Sequence, residues 1–144
     1  MPGPKNYDPQ SVIVTFGTQQ INGFMENSMI EVERDEDSFT HKANCDGGEG
    51  TRTRNANRAG KIKLKLQQTS ESNAYLSACL AADELAPNGI SILPLMIKDL
   101  SGHSMAFAKA AWVMKYPKAS YDKDVTEREW TLQTGNLSIV EGGN

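Results

Sequence analysis

The sequence has 144 residues, of which 38% are hydrophobic and 23% charged, and its formal net charge at pH 7 is -3. This length and composition predict one folded domain over residues 1–144 and exclude a disordered chain, while the slight negative charge argues against a DNA-binding surface, which needs clustered Lys and Arg. The longest apolar stretches are shorter than the roughly 20 residues of a membrane helix, and residues 1–5 lack the apolar core of a signal peptide. We therefore expect a soluble protein made in a cytoplasm, without a membrane anchor.

The N-terminal quarter of the chain predicts an arm followed by short strands. Residues 1–10 contain three prolines and a glycine and indicate an extended N-terminal arm. Ser11–Phe16 is rich in β-branched residues and predicts a strand. Gln20–Met25 contains an Asn-Gly turn dipeptide but also suits a short strand. Met29–Arg34 alternates between apolar and charged residues, which predicts a half-buried strand with its isoleucine and valine facing inward.

The next segment is polar and long. Asp35–Asp37 predicts a turn, and Ser38–Ala43 indicates a short strand around Phe39. Residues 44–60 contain four glycines, three asparagines and three arginines with almost no large apolar residue. A connection of this length is unusual inside a compact domain, so the segment is either functional or mobile. It is consistent with a long loop or with an extended hairpin arm.

The middle of the chain predicts one strand and the single helix. Lys61–Leu66 alternates lysine with isoleucine or leucine, and a row of lysines suits an edge strand or a face that water or a partner covers. A helix is expected at about residues 71–86, with Thr69-Ser70 as the N-cap and Glu71 in the first turn. It ends at Pro87–Gly89. Its apolar stripe comprises Tyr75, Leu76, Cys79, Leu80, Ala82 and Leu85.

Strands dominate the C-terminal part. Ile90–Ile97 predicts a buried strand, His103–Met114 a long strand, and Val125–Gln133 an alternating strand, followed by a short one at Leu137–Val140. Trp112 and Trp130 are interpreted as core or interface anchors. The expected fold class is α+β, made mainly of antiparallel strands with one helix and no internal repeat.

Catalytic and metal-binding patterns are incomplete. The glycine-rich run 46–50 lacks the lysine of a phosphate loop, and its acids would repel phosphate. His41, Cys45 and Asp46 have a permissive spacing but do not complete a tetrahedral metal site. The sequence leaves open a disulfide between Cys45 and Cys79, although a buried thiol is the simpler interpretation of Cys79. We expect no catalytic residue, no cofactor and no metal. A small hydrolase that uses Asp35, Asp37 and His41 is a remote alternative.

Several segments between about residues 10 and 140 resemble those of a known family in their order and composition, although none of them is specific alone. They are Ile21–Phe24, Met29–Thr40, Asp46–Asn55, Gly60–Asn73, Asp99–Gly102, Ala110–Val113, Pro117 and Glu127–Leu132. Together they resemble the tail tube proteins of contractile-tailed (myovirus) bacteriophages. The resemblance implies a β-sandwich or barrel with a flanking helix.

The resemblance also implies a structural role in the virion without enzymatic activity. Proteins of this kind form hexameric rings that stack into a hollow tube, with a continuous inner barrel through which the genome passes. The implied partners are other copies of the chain, the tail sheath protein, and the baseplate and tail terminator proteins. Tape measure protein and genomic DNA would pass through the lumen without specific binding, and assembly would occur in the host cytoplasm. A tail terminator, a baseplate ring subunit or a tube resembling that of type VI secretion remains an alternative.

Two sets of residues are expected to serve assembly if the resemblance holds. An acidic lumen would let DNA slide, because like charges repel phosphate; the candidates facing the lumen are Glu31, Glu33, Glu127 and Glu129. Lysines 61, 63 and 65 would then face neighbours or the outside. The arm at residues 44–60 would contact the next subunit or ring; its candidate residues are Asp46, Glu49, Arg52, Arg54 and Arg58.

Overall fold

The computed structural model describes residues 3–4, 7–25, 29–86, 88–100 and 102–142, so part of the predicted arm at residues 1–10 lies outside the described residues. A short 3-10 turn at Pro9–Ser11 precedes the first strand. The strands and the helix are β1 Val12–Phe16, β2 Gln19–Ile21, β3 Ile30–Arg34, β4 Phe39–Lys42, β5 Thr51–Arg54, β6 Gly60–Gln67, α1 Ser72–Leu85, β7 Leu93–Asp99, β8 Met105–Lys115, β9 Glu127–Thr134 and β10 Ser138–Val140.

One antiparallel sheet forms most of the molecule. Its strands lie in the order β2-β1-β7-β8-β9-β6-β3, and β10 pairs with β8. The alternation seen in the sequence sets which side of each strand is buried; in β6, for example, Ile62, Leu64 and Leu66 are fully buried and point away from the lysines. Strands β4 and β5 pair only with each other and form a separate hairpin.

The sheet curls around a single core. Val12 of β1 and Ile30 of β3 line the same cleft, although β7, β8, β9 and β6 separate their strands. Neighbouring strands lie roughly 4.8 Å apart, so in a flat sheet these residues would be about 24 Å apart. The sheet therefore bends into an open barrel. Helix α1 packs on this core through Leu76 and Leu80, and Trp130 is buried there with its indole N–H donating to Asn73 Oδ1 at 2.9 Å. The predicted fold class, with one flanking helix, is confirmed.

The helix begins later than expected. Glu71 occupies the cap position and makes no capping hydrogen bond through its side chain. Ser70 lies one residue before this cap position; its hydroxyl accepts the backbone N–H of Ser72 at 3.2 Å and donates to the carbonyl oxygen of Asn22 at 2.6 Å, which joins the start of the helix to the turn after β2. Leu85 is 87% exposed, so the prediction that it extends the apolar stripe is wrong, whereas Ala82 is half-buried.

Two strand predictions need correction. The buried strand expected at Ile90–Ile97 is instead β7, and Ile90 is 66% exposed. The reason is that Asp83 Oδ1 accepts the backbone N–H of Ile90 at 3.0 Å, which holds this stretch as a connection at the end of α1. The edge-strand interpretation of Lys61–Leu66 is also wrong, because β6 lies between β3 and β9. The alternative, a lysine-bearing face of the sheet, is what the structure contains.

Candidate assembly surfaces

The outward side chains of β3, β6 and β9 form one continuous polar surface, here called the charged face. Strand register places Glu31 opposite Lys63 and Glu33 opposite Lys61. It also places Lys65 opposite Glu129 and Gln67 opposite Glu127. The four acids predicted from the sequence therefore lie on one face, together with three lysines. The members of the charged face are Glu31, Glu33, Lys61, Lys63, Lys65, Glu127 and Glu129.

The charged face is mixed in sign. The Nζ atom of Lys65 lies 3.8 Å from Oε2 of Glu129. Cross-strand pairs of opposite charge each stabilise a sheet by roughly 0.2–1 kcal/mol, and solvent exposure keeps them at the low end of that range. The prediction that the three lysines point away from the acids is wrong. The two faces of each strand were assigned correctly. Which faces of neighbouring strands lie on the same side of the sheet depends on register, which the sequence does not give.

The β4–β5 hairpin is the second candidate surface, and all eight residues of its two strands are exposed. It is the extended form considered for residues 44–60. The predicted arm residues Asp46 and Glu49 lie in its tip, Arg52 and Arg54 lie on β5, and Arg58 follows it. The guanidinium of Arg52 stacks over the ring of Phe39, with Cζ 4.1 Å from the ring centroid.

The hairpin continues the line of β3 and β6 beyond the sheet. After the last pair of that ladder, the N–H of Asp35 donates to the carbonyl oxygen of Ala59 at 3.0 Å. The N–H of Asn55 then donates to the carbonyl oxygen of Ser38 at 2.8 Å, next to the first pair of the hairpin. The two chain segments thus stay paired as they leave the sheet, and the hairpin projects from this end of the barrel.

Glu36 stabilises the base of the hairpin by hydrogen bonds. Its Oε2 accepts hydrogen bonds from the side-chain amides of Asn55 at 3.0 Å and Asn57 at 2.8 Å. Because these bonds favour the ionised carboxylate, they lower the pKa of Glu36 below its usual value. Both asparagines also accept backbone N–H groups two residues further on, so the return from β5 to β6 is held by side chains as well as by the ladder.

Strand β3 is a free edge of the sheet within the described residues. The carbonyl oxygen of Met29 accepts a hydrogen bond from the N–H of Lys65 at 2.9 Å, which makes this a hydrogen-bonded pair in the register of β3 and β6. In an antiparallel ladder hydrogen-bonded and non-hydrogen-bonded pairs alternate. The backbone groups that point to the free edge therefore belong to Ile30, Val32 and Arg34.

An apolar cleft of about 550 Å³ lies where the two ends of the curled sheet approach each other. It is lined by Val12 of β1 and Ile97 of β7, by Ile30 and Val32 of β3, and by Ile139 of β10. The sequence did not reveal this cleft, because the strands that line it are far apart in the chain. Only the closure of the sheet brings them together.

The residues considered for metal binding and for a disulfide form neither within the described residues. Over the described ranges, no group of three or more His, Cys, Asp and Glu side chains could hold a metal ion. Both cysteines are free thiols, Cys45 exposed and Cys79 buried, and burial raises the pKa of the Cys79 thiol. Burial also raises the pKa of Tyr75, whose hydroxyl donates to the carbonyl oxygen of Phe16 at 2.9 Å. Among the residues that the structure describes, no helix is long and apolar enough to span a membrane.

This fold, a curled antiparallel sheet with one helix, is shared with proteins of contractile injection systems. The chain is similar to the tube terminating cap of the anti-feeding prophage, with a TM-score of 0.63 at 14% identity over 97% of this chain and 94% of that one. It is also similar to the sheath/tube terminator of the extracellular contractile injection system PVC, with a TM-score of 0.64 at 15% identity over 96% and 99%. A chain of the PVC sheath-tube complex gives a TM-score of 0.61 at 15% identity over 94% and 91%.

Sequence comparison narrows this class to one family. The chain is 31% identical to structural protein ORF10 of Pseudomonas phage KPP10, over 96% of this chain and 83% of that protein. Residues 11–142 match the family of the bacteriophage PhiTE tail tube protein. The chain belongs to this family, which makes it a structural component of a phage tail. The resemblance found in the sequence is thereby confirmed.

Proposed function

We propose that this chain is the subunit of the inner tube of a contractile phage tail, assembling into hexameric rings that stack into a hollow tube. The free edge of β3 carries the proposal. Its unpaired backbone groups at Ile30, Val32 and Arg34 can accept a strand from a neighbouring copy. Joining the open sheets of neighbouring copies edge to edge closes a barrel and gives the unpaired backbone N–H and C=O groups hydrogen-bond partners.

The charged face is suited to line the lumen of such a tube. Each of its lysines has a carboxylate or a polar residue as its cross-strand neighbour, and four carboxylates stand against three lysines. Binding of DNA requires clustered cations that displace counterions from phosphates. A face with alternating charges offers no such cluster, which supports passage of DNA and of the tape measure protein without retention.

Outside the tube, the proposed partners are those of a contractile tail: the sheath protein around it and the baseplate and terminator proteins at its ends. The likeness to chains of sheath-tube and terminator assemblies supports this proposal. Assembly would take place in the host cytoplasm. No step requires catalysis or a cofactor, because the free energy of assembly comes from strand pairing and buried surface.

Negative-stain electron microscopy of the purified protein tests the proposal. The wild type should form open-ended hollow tubes. Val32→Pro should abolish them while leaving the monomer folded, since the N–H of Val32 points to the free edge and not into the β3–β6 ladder. Val32→Thr, which keeps the N–H, is the matched control and should still form tubes. A wild-type protein that stays monomeric at every concentration would refute the proposal, as would normal tubes from Val32→Pro.

The hairpin is proposed as the contact between successive rings. An isolated two-stranded hairpin is marginally stable in water, and this one is fully exposed in the single chain. Replacing residues 39–54 by a two-residue turn between Ser38 and Asn55 keeps the bond that joins their backbones. The variant should form single rings that do not stack. Tubes of normal length from this variant would show that the hairpin has no part in stacking.

A tail terminator is the second candidate, favoured by the two terminator chains among the similar structures. The two functions differ in the polymer they produce. A terminator stops at one closed ring, whereas a tube subunit stacks without limit. The length distribution in the same micrographs therefore separates them.

A further inference from the structure

Arg128 lies at the end of β9 with unused hydrogen-bonding capacity. Only 8% of the residue is exposed. Its Nη1 donates to Thr126 Oγ1 at 2.7 Å and to the carbonyl oxygen of Glu127 at 2.9 Å, and its Nη2 donates to the carbonyl oxygen of Ser120 at 3.1 Å. A guanidinium has five N–H donors. Nε–H and one Nη2–H thus have no acceptor among the residues that the structure describes.

The buried charge of Arg128 also has no counterion within the described residues. The one ion pair there joins Lys65 and Glu129. Burying a charged group away from water is unfavourable unless it is paired. The Tyr121 ring, with Cζ of Arg128 5.2 Å from its centroid, offsets part of that cost. Among the described residues no buried side-chain nitrogen is left without a hydrogen-bond partner, so the unused Nε of Arg128 reaches solvent.

Solvent reaches Arg128 through a cleft of about 470 Å³ between α1 and the loop before β9, here called the arginine cleft. Its described lining contains no aspartate or glutamate. The Gln68 amide carbonyl is already used by Thr126, which leaves its NH2 group available. A pocket of unused donors around a cation is complementary to a carboxylate. The lining residues are Gln68, Asn73, Ser77, Tyr116, Pro117, Ala119, Tyr121, Arg128 and Trp130.

The arginine cleft and the hairpin lie at opposite ends of the same strands. The hairpin leaves the sheet beside Gly60, which pairs with Thr134, whereas Arg128 pairs with Leu66 at the other end of β6. Six residues of strand separate these positions, roughly 20 Å. Copies stacked along the strand direction would therefore bring the hairpin of one towards the arginine cleft of the next.

The hairpin tip provides a suitable carboxylate. Glu49 is exposed and makes no ion pair within the described residues, although its backbone carbonyl is tied to the ring Nε2 of His41 at 2.6 Å. We infer that Glu49 of one copy binds Arg128 in the arginine cleft of the copy stacked on it. This inference rests on the proposed tube. A head-to-tail contact between two different surfaces repeats without closing, which is what an open stack requires.

A polymerisation assay tests the contact through charge removal at either end. Glu49→Gln should raise the concentration needed to form tubes about tenfold or more, the effect expected for a lost hydrogen bond to a charged group. Arg128→Gln should do the same, and the double variant should be no worse than either single one. Glu84→Gln, at an exposed acid on α1, is the control and should leave that concentration unchanged.

Glu49→Gln is decisive, because an exposed glutamine cannot unfold the subunit, whereas Arg128→Gln also loses bonds to the loop. Normal assembly of Glu49→Gln would overturn the inference while the tube proposal stands. Failure of the wild type to polymerise would refute the tube itself. Impaired assembly of Arg128→Gln alone, with an unchanged melting temperature, would show that another group fills the cleft and would also overturn the inference.

Cross-linking gives an independent measurement. In a Cys45→Ser background, Glu49→Cys with Tyr121→Cys should form a ladder of disulfide-linked dimers, trimers and longer chains on a non-reducing gel of tubes assembled above the raised concentration that loss of the Glu49 carboxylate requires. Tyr121 suits this role because it is 80% exposed at the mouth of the arginine cleft. Glu49→Cys with Glu33→Cys, on the charged face, is the matched pair that should not cross-link. Tubes without a ladder from the first pair would overturn the inference.

Discussion

The curled sheet and the β4–β5 hairpin are built from similar strands but held in different ways. In the sheet, alternate side chains of β6 are fully buried and join a core that also contains residues of β1, β2, β7, β8, β9 and α1. In the hairpin, every strand residue is exposed, and its contacts are backbone pairs, the Arg52–Phe39 stack and the bonds of Glu36 at its base. Within the single chain the sheet therefore buries apolar side chains, whereas the hairpin strands bury none of theirs.

The largest difference in stability between the sheet and the hairpin is expected at two phenylalanines. Phe16 is completely buried, and Phe39 is 46% exposed. Phe16→Ala should lower the free energy of unfolding by about 3–5 kcal/mol, because a large cavity remains in the core. Phe39→Ala should cost less than about 1 kcal/mol, the value of an exposed cation–π contact. Urea denaturation of dilute protein measures both; equal losses would mean that the hairpin shares the core's stability.

The reaction rates of the two thiols compare the hairpin with the core without a change in stability. Cys45 lies exposed in the hairpin tip, and Cys79 is buried on α1 with a raised pKa. The thiolate is the reactive form, so burial and the raised pKa both slow the reaction. Cys79 should react with a thiol reagent at least about 100-fold more slowly than Cys45, since α1 must open first. Stopped-flow labelling of Cys45→Ser and Cys79→Ser separates the rates, and similar rates would contradict the packing of α1.

Gly60 tests the junction where the hairpin returns to the sheet. A Cβ atom there would lie 2.5 Å from Cδ2 of Leu137 and 2.9 Å from the carbonyl oxygen of Glu33. Gly60→Ala should lower the free energy of unfolding by about 1–3 kcal/mol through overpacking. Gly135→Ala, whose Cβ would meet nothing within 4 Å, is the control and should change it by less than about 0.5 kcal/mol. Thermal denaturation compares the two variants, and equal melting temperatures would rule out close packing at Gly60.

The smallest effect is expected at Glu36. Its pKa is lowered in the folded chain, so its contribution is present above the pKa of the unfolded chain and is lost as pH falls through the folded value. NMR signals of the Asn55 and Asn57 side-chain amides should shift over that acidic interval and not at neutral pH. Glu36→Gln should remove the transition. An unchanged transition in this variant would assign it to another group.

Sequence reasoning succeeded where a property belongs to one segment. The alternation of lysine with isoleucine and leucine identified β6 and its buried side, because successive side chains of a strand point to opposite faces. The spacing of Leu76, Cys79 and Leu80 identified the buried side of α1. The polar composition of residues 44–60 marked the hairpin, and the strand predicted at Ser38–Ala43 is its first strand, β4, whereas β5 was not identified. Prediction failed at Ile90, where a tie to Asp83 overrides an apolar pattern.

Local sequence patterns alone therefore identified the helix, most of the strands and the buried side of β3, β6, β9 and α1. The tertiary structure alone decided how these sides are combined. Register set Glu31 against Lys63 and Lys65 against Glu129, which turned an expected acidic surface into the mixed charged face. Pairing of β6 with β9 placed Arg128 and the hairpin at opposite ends of the same strands, and curling of the sheet formed the cleft between β1 and β3. The physical reason is that alternation is a local property of the chain, whereas register and curvature depend on pairing and packing between distant segments.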